Sequence, residues 1–184
     1  MAREEEINRV MHEALHISTD ILIGELIWPE SPPHSRRVQA ARALNNLVGL
    51  NQLERGKTGK GSFFRIKECR SEWQPHSELI SSVIVDLLRN FHAAVRREIS
   101  VPAINRRADC IALLQNKSNT QYLCIILECL VNESESSLQA KERDWLHFDG
   151  ALGFLSDLFK AKVRSFGVVG IKPGQNIISL LPKE

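Results

Sequence analysis

The stretch from Arg106 to Val131, "RRADCIALLQNKSNTQYLCIILECLV", limits the fold of this chain more than any other. It reads as two apolar strands joined by a polar turn. Each strand carries a single acid, Asp109 near the start of the first and Glu128 near the end of the second. A carboxylate inside an apolar strand is costly unless it is paired, hydrogen-bonded or bound to a metal. The two acids therefore need an explanation, and so does whatever covers the strands that hold them.

Composition narrows the field only slightly. With 184 residues, 43% of them hydrophobic, the chain has apolar content for one core or two small ones. A net charge of +2 is too small to announce a nucleic-acid binder, so such a case rests on where the basic residues sit. Cys69, Cys110, Cys124 and Cys129 form no CxxC pair, and three of them lie in apolar runs. Buried free thiols in a reducing, cytoplasmic setting are the simplest reading, and zinc is not expected. The start "MAREEEINRV" is too polar for a signal peptide, and no apolar run reaches the ~20 residues of a membrane span. A soluble intracellular protein is expected.

The chain changes character near "IKECRSEWQPHSE", which places a boundary close to Pro75 and gives domains of 1–72 and 73–184. Before it, "REEEINRVMHEALH" puts Ile7, Val10, Met11, Ala14 and Leu15 on one helical face. "STDILIGELIWPE" offers Ser18 and Thr19 as caps and stops before Pro29. A third helix runs from about His34, with Val38, Ala41, Leu44 and Leu47 inward and Gly49 as its stop. "NQLERGKTGKGSFFRIK" then reads as a glycine-turn β-hairpin.

Three short helices followed by such a hairpin resemble the winged helix-turn-helix fold. That resemblance implies double-stranded DNA as a partner, with the third helix in the major groove and the hairpin on the backbone. Arg36, Arg37, Gln39, Arg42 and Asn45 are expected on or near the outer face of the third helix, and Arg55, Lys57, Lys60 and Arg65 decorate the hairpin. Arg, Gln and Asn can read base edges, whereas Lys and Arg neutralise phosphate. The competing reading is a solvated basic face on a domain that binds protein.

After the boundary, "SELISSVIVDLLRNFHAAV" forms a helix with Ser77 as its expected cap and a stripe of Leu79, Val83, Leu87 and Phe91. A short strand "VRREISVPA" precedes the two strands of the opening question. "SESSLQAKERDWLHFDGALGFLSDLFKA" is one long helical segment or two, and "VRSFGVVGIKPG" and "NIISLLP" are expected as closing strands. The order predicts an α/β sandwich around a central mixed sheet.

Over about residues 77–172 the chain resembles the PD-(D/E)XK nuclease superfamily, the restriction-endonuclease-like fold. The matching residues are Glu78 opening the first helix, Glu98 in the next strand, Asp109 in "RRAD", Glu128 in "IILECL" and Gln139 in "LQAKERDW". The resemblance implies that Asp109 and Glu128 bind Mg2+ or Mn2+ for phosphodiester hydrolysis, with Glu98, Glu78 and Gln139 assisting. The chemistry is reasonable, because strands ~4.8 Å apart let two acids share one hard cation. Such an ion would polarise a phosphate and acidify an attacking water.

The chain departs from the family at one place. The family's lysine should follow Glu128 by two residues, yet Leu130 stands there. Lys141 on the following helix is the best substitute, although Gln139 and Lys141 do not share a helical face well. Three readings stay open: a metal-dependent DNA endonuclease that has moved its lysine, a degenerate nuclease fold serving a DNA-binding regulator or assembly subunit, and structural salt bridges to Arg106, Arg107 or Lys141. Cutting both strands would favour a homodimer, and a partner protein is the weaker alternative. Smaller features read plainly: His12 and His16 share a zinc-compatible spacing without a third ligand, His147 is expected in packing, with a place near the proposed cleft as the alternative, and "GKTGKG" is a hairpin tip.

Overall fold

The computed structural model describes residues 2–58, 61–70, 73–115 and 122–181. The chain divides into two compact units, Met1–Val85 and Asp86–Glu184. It is mixed α and β, with seven α-helices and two sheets among the described residues. No helix among the described residues is long and apolar enough to cross a membrane.

The N-terminal unit opens with helix α1 (Ala2–Val10), whose Glu4 and Glu5 in the first turn and Arg9 in the last suit the helix dipole. The predicted helix does not run on as α-helix to His16. Met11–Leu15 form a π-helical turn, and His16 turns the chain at φ 57°. A short strand that the sequence pattern does not signal follows, β1 (Ile17–Thr19). Thr19 caps helix α2 (Asp20–Ile27), its hydroxyl accepting the Leu22 N–H at 3.4 Å. Helix α3 (Pro33–Gly49) starts on a proline at its first position, where the missing N–H costs nothing. Its buried residues are Ala40, Ala43, Leu44 and Leu47, so Val38 and Ala41 lie at the margin of the stripe instead of within it.

Strands β2 (Leu53–Thr58) and β3 (Gly61–Ile66) form the expected hairpin. β1 adds antiparallel to β3 and gives the order β1-β3-β2. Opposite Phe63 in the ladder is Gly56. A Cβ there would lie 2.1 Å from Cζ of the Phe63 ring, which itself stacks on Trp73 with centroids 6.5 Å apart. Only glycine leaves room for that ring.

Helix α4 (Pro75–Asn90) begins two residues before Ser77, so the expected cap is a buried residue of the first turn. Its buried stripe is Ile80, Val83, Ile84 and Leu87, one residue out of phase with Leu79. The Ser81 hydroxyl donates to the Ile17 carbonyl at 2.8 Å, which fixes the first half of α4 to the N-terminal unit. The division therefore falls after Val85 and not at residue 72.

The second unit is a four-stranded mixed sheet. β4 (His92–Val101), β5 (Arg106–Gln115) and β6 (Tyr122–Cys129) are successive antiparallel strands, and β7 (Phe166–Ile171) lies parallel to β6. A parallel pair needs a crossover, supplied by α5 (Glu135–Leu146) and α6 (Ala151–Phe159). Ser134 caps α5, accepting the Ser137 N–H at 3.3 Å. Trp145 of α5 is buried among Phe148, Phe154 and Phe166, and it joins Ile111, Leu113, Cys124, Ile126 and Leu155 in one core. The last expected strand is instead a short helix, α7 (Ile177–Leu180), because Asn176 accepts the Ile178 N–H at 2.9 Å and starts a turn.

Gly56→Ala should destabilise the N-terminal unit by about 1–3 kcal/mol through overpacking against Phe63, read as a lower midpoint in urea denaturation. Leu44→Ala should cost about 2–5 kcal/mol by leaving a cavity, while Lys57→Ala on the exposed strand leaves the midpoint unchanged.

Candidate functional site

The β5–β6 ladder pairs Cys110 with Leu127, so one step further along it Asp109 lies across from Glu128. Directly opposed residues of an antiparallel pair share a face. Here it is the face of Ile111 and Ile126, the side that packs in the core with Trp145. Both acids are buried, Asp109 at 6% and Glu128 at 1% exposure. The Cys129 N–H donates to Asp109 Oδ2 at 2.8 Å. Lys141 reaches in from α5, donating to Glu128 Oε2 at 2.8 Å and to Glu133 at 2.9 Å. The exposed side-chain fraction rises from 2% at Glu128 through 15% at Lys141 to 37% at Glu133. The cluster is a line of charge, acid then base then acid, from interior to surface.

Electrostatics follow from that burial. Loss of water pushes the Glu128 carboxyl up to about 7, the Lys141 hydrogen bond pulls it back only in part, and the Asp109 charge pushes it higher. Burial works against the Lys141 charge, but its bonds to Glu128 and Glu133 outweigh that and raise it above the ordinary lysine value. Lys141 therefore keeps its proton at neutral pH, and Glu128 is the group that titrates. Burial also pushes the Cys110 and Cys124 thiols up to about 12, which leaves them protonated and inert.

The pair does not present a magnesium site as arranged. Mg2+ wants near-octahedral oxygen ligands and keeps several waters, whereas each acid already has one oxygen engaged and little contact with solvent. Among the described residues no group of three or more His, Cys, Asp or Glu side chains is placed to hold a metal. The positive charge beside Glu128 is an ammonium of the chain itself.

The other expected site residues are dispersed. Glu98 lies across from Asp109, between the Arg97–Cys110 and Ile99–Ala108 pairs, on a strained backbone at φ 53°. Glu78 is exposed on the first turn of α4, in the N-terminal unit. Gln139 is exposed while Lys141 faces inward, as their helical spacing requires. Arg106 pairs with Asp144 at 2.6 Å and Arg107 is exposed, so neither arginine accounts for Asp109. Glu133 is a member of the cluster that lies outside the expected site residues; its one sequence signal is a place eight residues before Lys141, in the loop leading into α5.

On the N-terminal unit the expected DNA-facing residues separate into two kinds. Arg42 is exposed on the outer side of α3 and Gln39 partly so, while Asn45 is exposed but its amide donates to the Ala41 carbonyl at 2.7 Å. Arg37 is held by Asp20 at 3.0 Å and Arg65 by Glu54 at 3.0 Å. Arg36 sits where α2 comes close, a Cβ on Gly24 lying 3.0 Å from its carbonyl oxygen. Arg55 donates to Ser62 Oγ at 2.9 Å and to Asn45 Oδ1 at 3.3 Å, tying the hairpin to α3. Lys57 is exposed on β2, and Lys60 lies outside the described residues.

Comparisons with protein-family models, curated proteins and solved structures gave no match.

Folding places a proton on Glu128 that the unfolded chain releases in the ordinary carboxylate range. Stability should thus decline as pH rises from about 4.5 to about 7, and Glu128→Gln should flatten that part of a thermal-stability profile. Lys141→Met strands the Glu128 carboxylate, at a cost of about 1–3 kcal/mol in denaturant titrations at pH 8 and less at pH 5, where Glu128 is neutral.

Proposed function

We propose that the chain is a double-stranded-DNA-binding protein in which a winged helix-turn-helix unit precedes a nuclease-like unit with silenced cutting chemistry. Support for the first part is topological. The order α1-β1-α2-α3-β2-β3, with a sheet ordered β1-β3-β2, supports a winged-helix reading of this unit. The short strand β1, paired to β3, adds to that support. In that arrangement α3 enters the major groove and the β2–β3 hairpin lies on the backbone. Arg42 and Gln39 would meet base edges or phosphates and Lys57 would meet phosphate, while Asn45, whose amide donates to the Ala41 carbonyl and accepts from Arg55, would help Arg55 hold the hairpin against α3.

Support for the second part is the order α4-β4-β5-β6-α5-α6-β7 around a mixed sheet, with an acid on each of two adjacent strands. The observation that carries the reading is the bond from Lys141 to Glu128 in a site that is almost wholly buried. The ammonium occupies the neighbourhood where the family's ion would be, and the acids keep the fold together instead of facing a substrate. DNA recognition then remains as the activity, in a regulator or an assembly subunit.

An active nuclease is the second reading, favoured by one fact: Lys141 reaches Glu128, one of the two acids that a migrated family lysine would serve. Incubation of supercoiled plasmid with Mg2+ or Mn2+, beside Asp109→Ala and Glu128→Ala, separates the two. Duplex binding without metal-dependent nicking is expected; nicking abolished by both substitutions would replace the regulator with an enzyme. Arg42→Ala should weaken duplex binding about tenfold, within the ~1–3 kcal/mol of a base contact, as read by fluorescence anisotropy.

A further inference from the structure

Many cations in the described residues are matched by an acid. Arg9 meets Glu13, Arg37 meets Asp20, Arg106 meets Asp144 and Lys172 meets Glu135, at 2.6–3.1 Å. Others among the described residues have no acid partner, among them Arg42, Lys57, Lys67, Arg70, Arg107 and Arg143; the segment that leaves α6 gathers three of this kind within five residues. Lys160, Lys162 and Arg164 are all exposed, and among the described residues none of them pairs with an acid. Asp157 lines the same open depression as Lys160 and Lys162 without forming an ion pair with either.

This basic segment is held in place by the fold. The Ala161 N–H donates to the Ser156 carbonyl at 3.1 Å, and the Val163 N–H donates to Ser156 Oγ at 3.1 Å. Val163 is buried at 6% and belongs to the core of the second unit. Val163 is turned inward, and its neighbours Lys162 and Arg164 are exposed on either side of it. Lys160 ends α6 in the left-handed conformation, where a cation also suits the carbonyl end of the helix. That local role accounts for Lys160 and leaves Lys162 and Arg164 without one.

An anchored row of unpaired cations fits a polyanion. Between Lys160 and Arg164 no large apolar side chain is exposed, so the row lacks the insertion residues that a membrane-surface site uses. A phosphate backbone asks only for fixed positive charge, with release of condensed counterions as the driving force. We infer that the Lys160–Lys162–Arg164 ridge is a second binding surface for the phosphate backbone of duplex DNA, on a unit separate from the one that carries α3. The inference rests on the DNA-binding reading above. It makes the nuclease-like unit a contributor to affinity and not to base recognition, because Lys and Arg on phosphate read no sequence.

The test uses the full chain and a labelled duplex, with binding measured by anisotropy at several salt concentrations. The triple variant Lys160→Ala, Lys162→Ala, Arg164→Ala should reduce the slope of log affinity against log salt by about 2–3, near 0.9 for each phosphate no longer neutralised. Its loss of affinity should be the same for unrelated duplex sequences. The charge-retaining variant Lys160→Arg, Lys162→Arg, Arg164→Lys should keep the wild-type slope, which separates charge from packing. If the triple variant keeps the wild-type slope while Arg42→Ala weakens binding, the ridge is a solvated face and the α3 reading survives. Wild-type protein without salt-dependent duplex binding removes both. Loss of binding to phosphatidylserine vesicles with duplex binding intact would also overturn the ridge, assigning it to an anionic membrane.

Discussion

A carboxylate closed inside a sheet must find a positive charge or take up a proton, and Glu128 is held between those two outcomes. It sits at the end of a strand whose other residues are apolar and mostly buried. Lys141 supplies the charge from a different element, and Glu133 at the surface holds Lys141 there. That bond ties α5 to β6 just where the crossover to β7 begins. The placement of α5, and with it the Trp145 core, is thus coupled to a buried charge as well as to hydrophobic area.

The same pairing logic sorts the basic residues of the whole chain. Where an arginine has an acid beside it, as Arg37 has Asp20 and Arg65 has Glu54, its charge is largely neutralised within the fold. Among the described residues, cations without such partners include Arg42 on the outer side of α3, Lys57 on β2, Lys67 and Arg70 after β3, Arg107 on β5, Arg143 on α5 and the group beyond α6. A small net charge hides this unevenness. The DNA-binding proposal depends on the distribution and gains nothing from the total.

Much of the fold was legible because its signals are local. Apolar periodicity marked α1, α2 and α3, Thr19 marked a cap, and the glycines of residues 56–61 marked the hairpin. Where the pattern misled, a tertiary partner or a capping bond overrode it. β1 is three residues long and exists because β3 offers it a ladder. Ile177–Leu180 has strand-like composition, yet the Asn176 cap turns it into a helix. The first half of α4 groups with the unit before it because Ser81 bonds to Ile17, 64 residues away, a bond that no composition change near Pro75 could reveal.

For the candidate site the division is sharper. The sequence by itself determined that Asp109 and Glu128 lie in neighbouring apolar strands, that Leu130 cannot supply a charge, and that Lys141 and Gln139 point to different sides of one helix. These follow from strand and helix periods, which are properties of the backbone. Only the tertiary structure decided that the two acids face the helical side of the sheet, that both are sealed from water, and that Lys141 and Glu133 complete the charge line. Burial and partner choice are set by how α5 docks on the sheet, and docking is fixed by side chains distant in sequence that share one core.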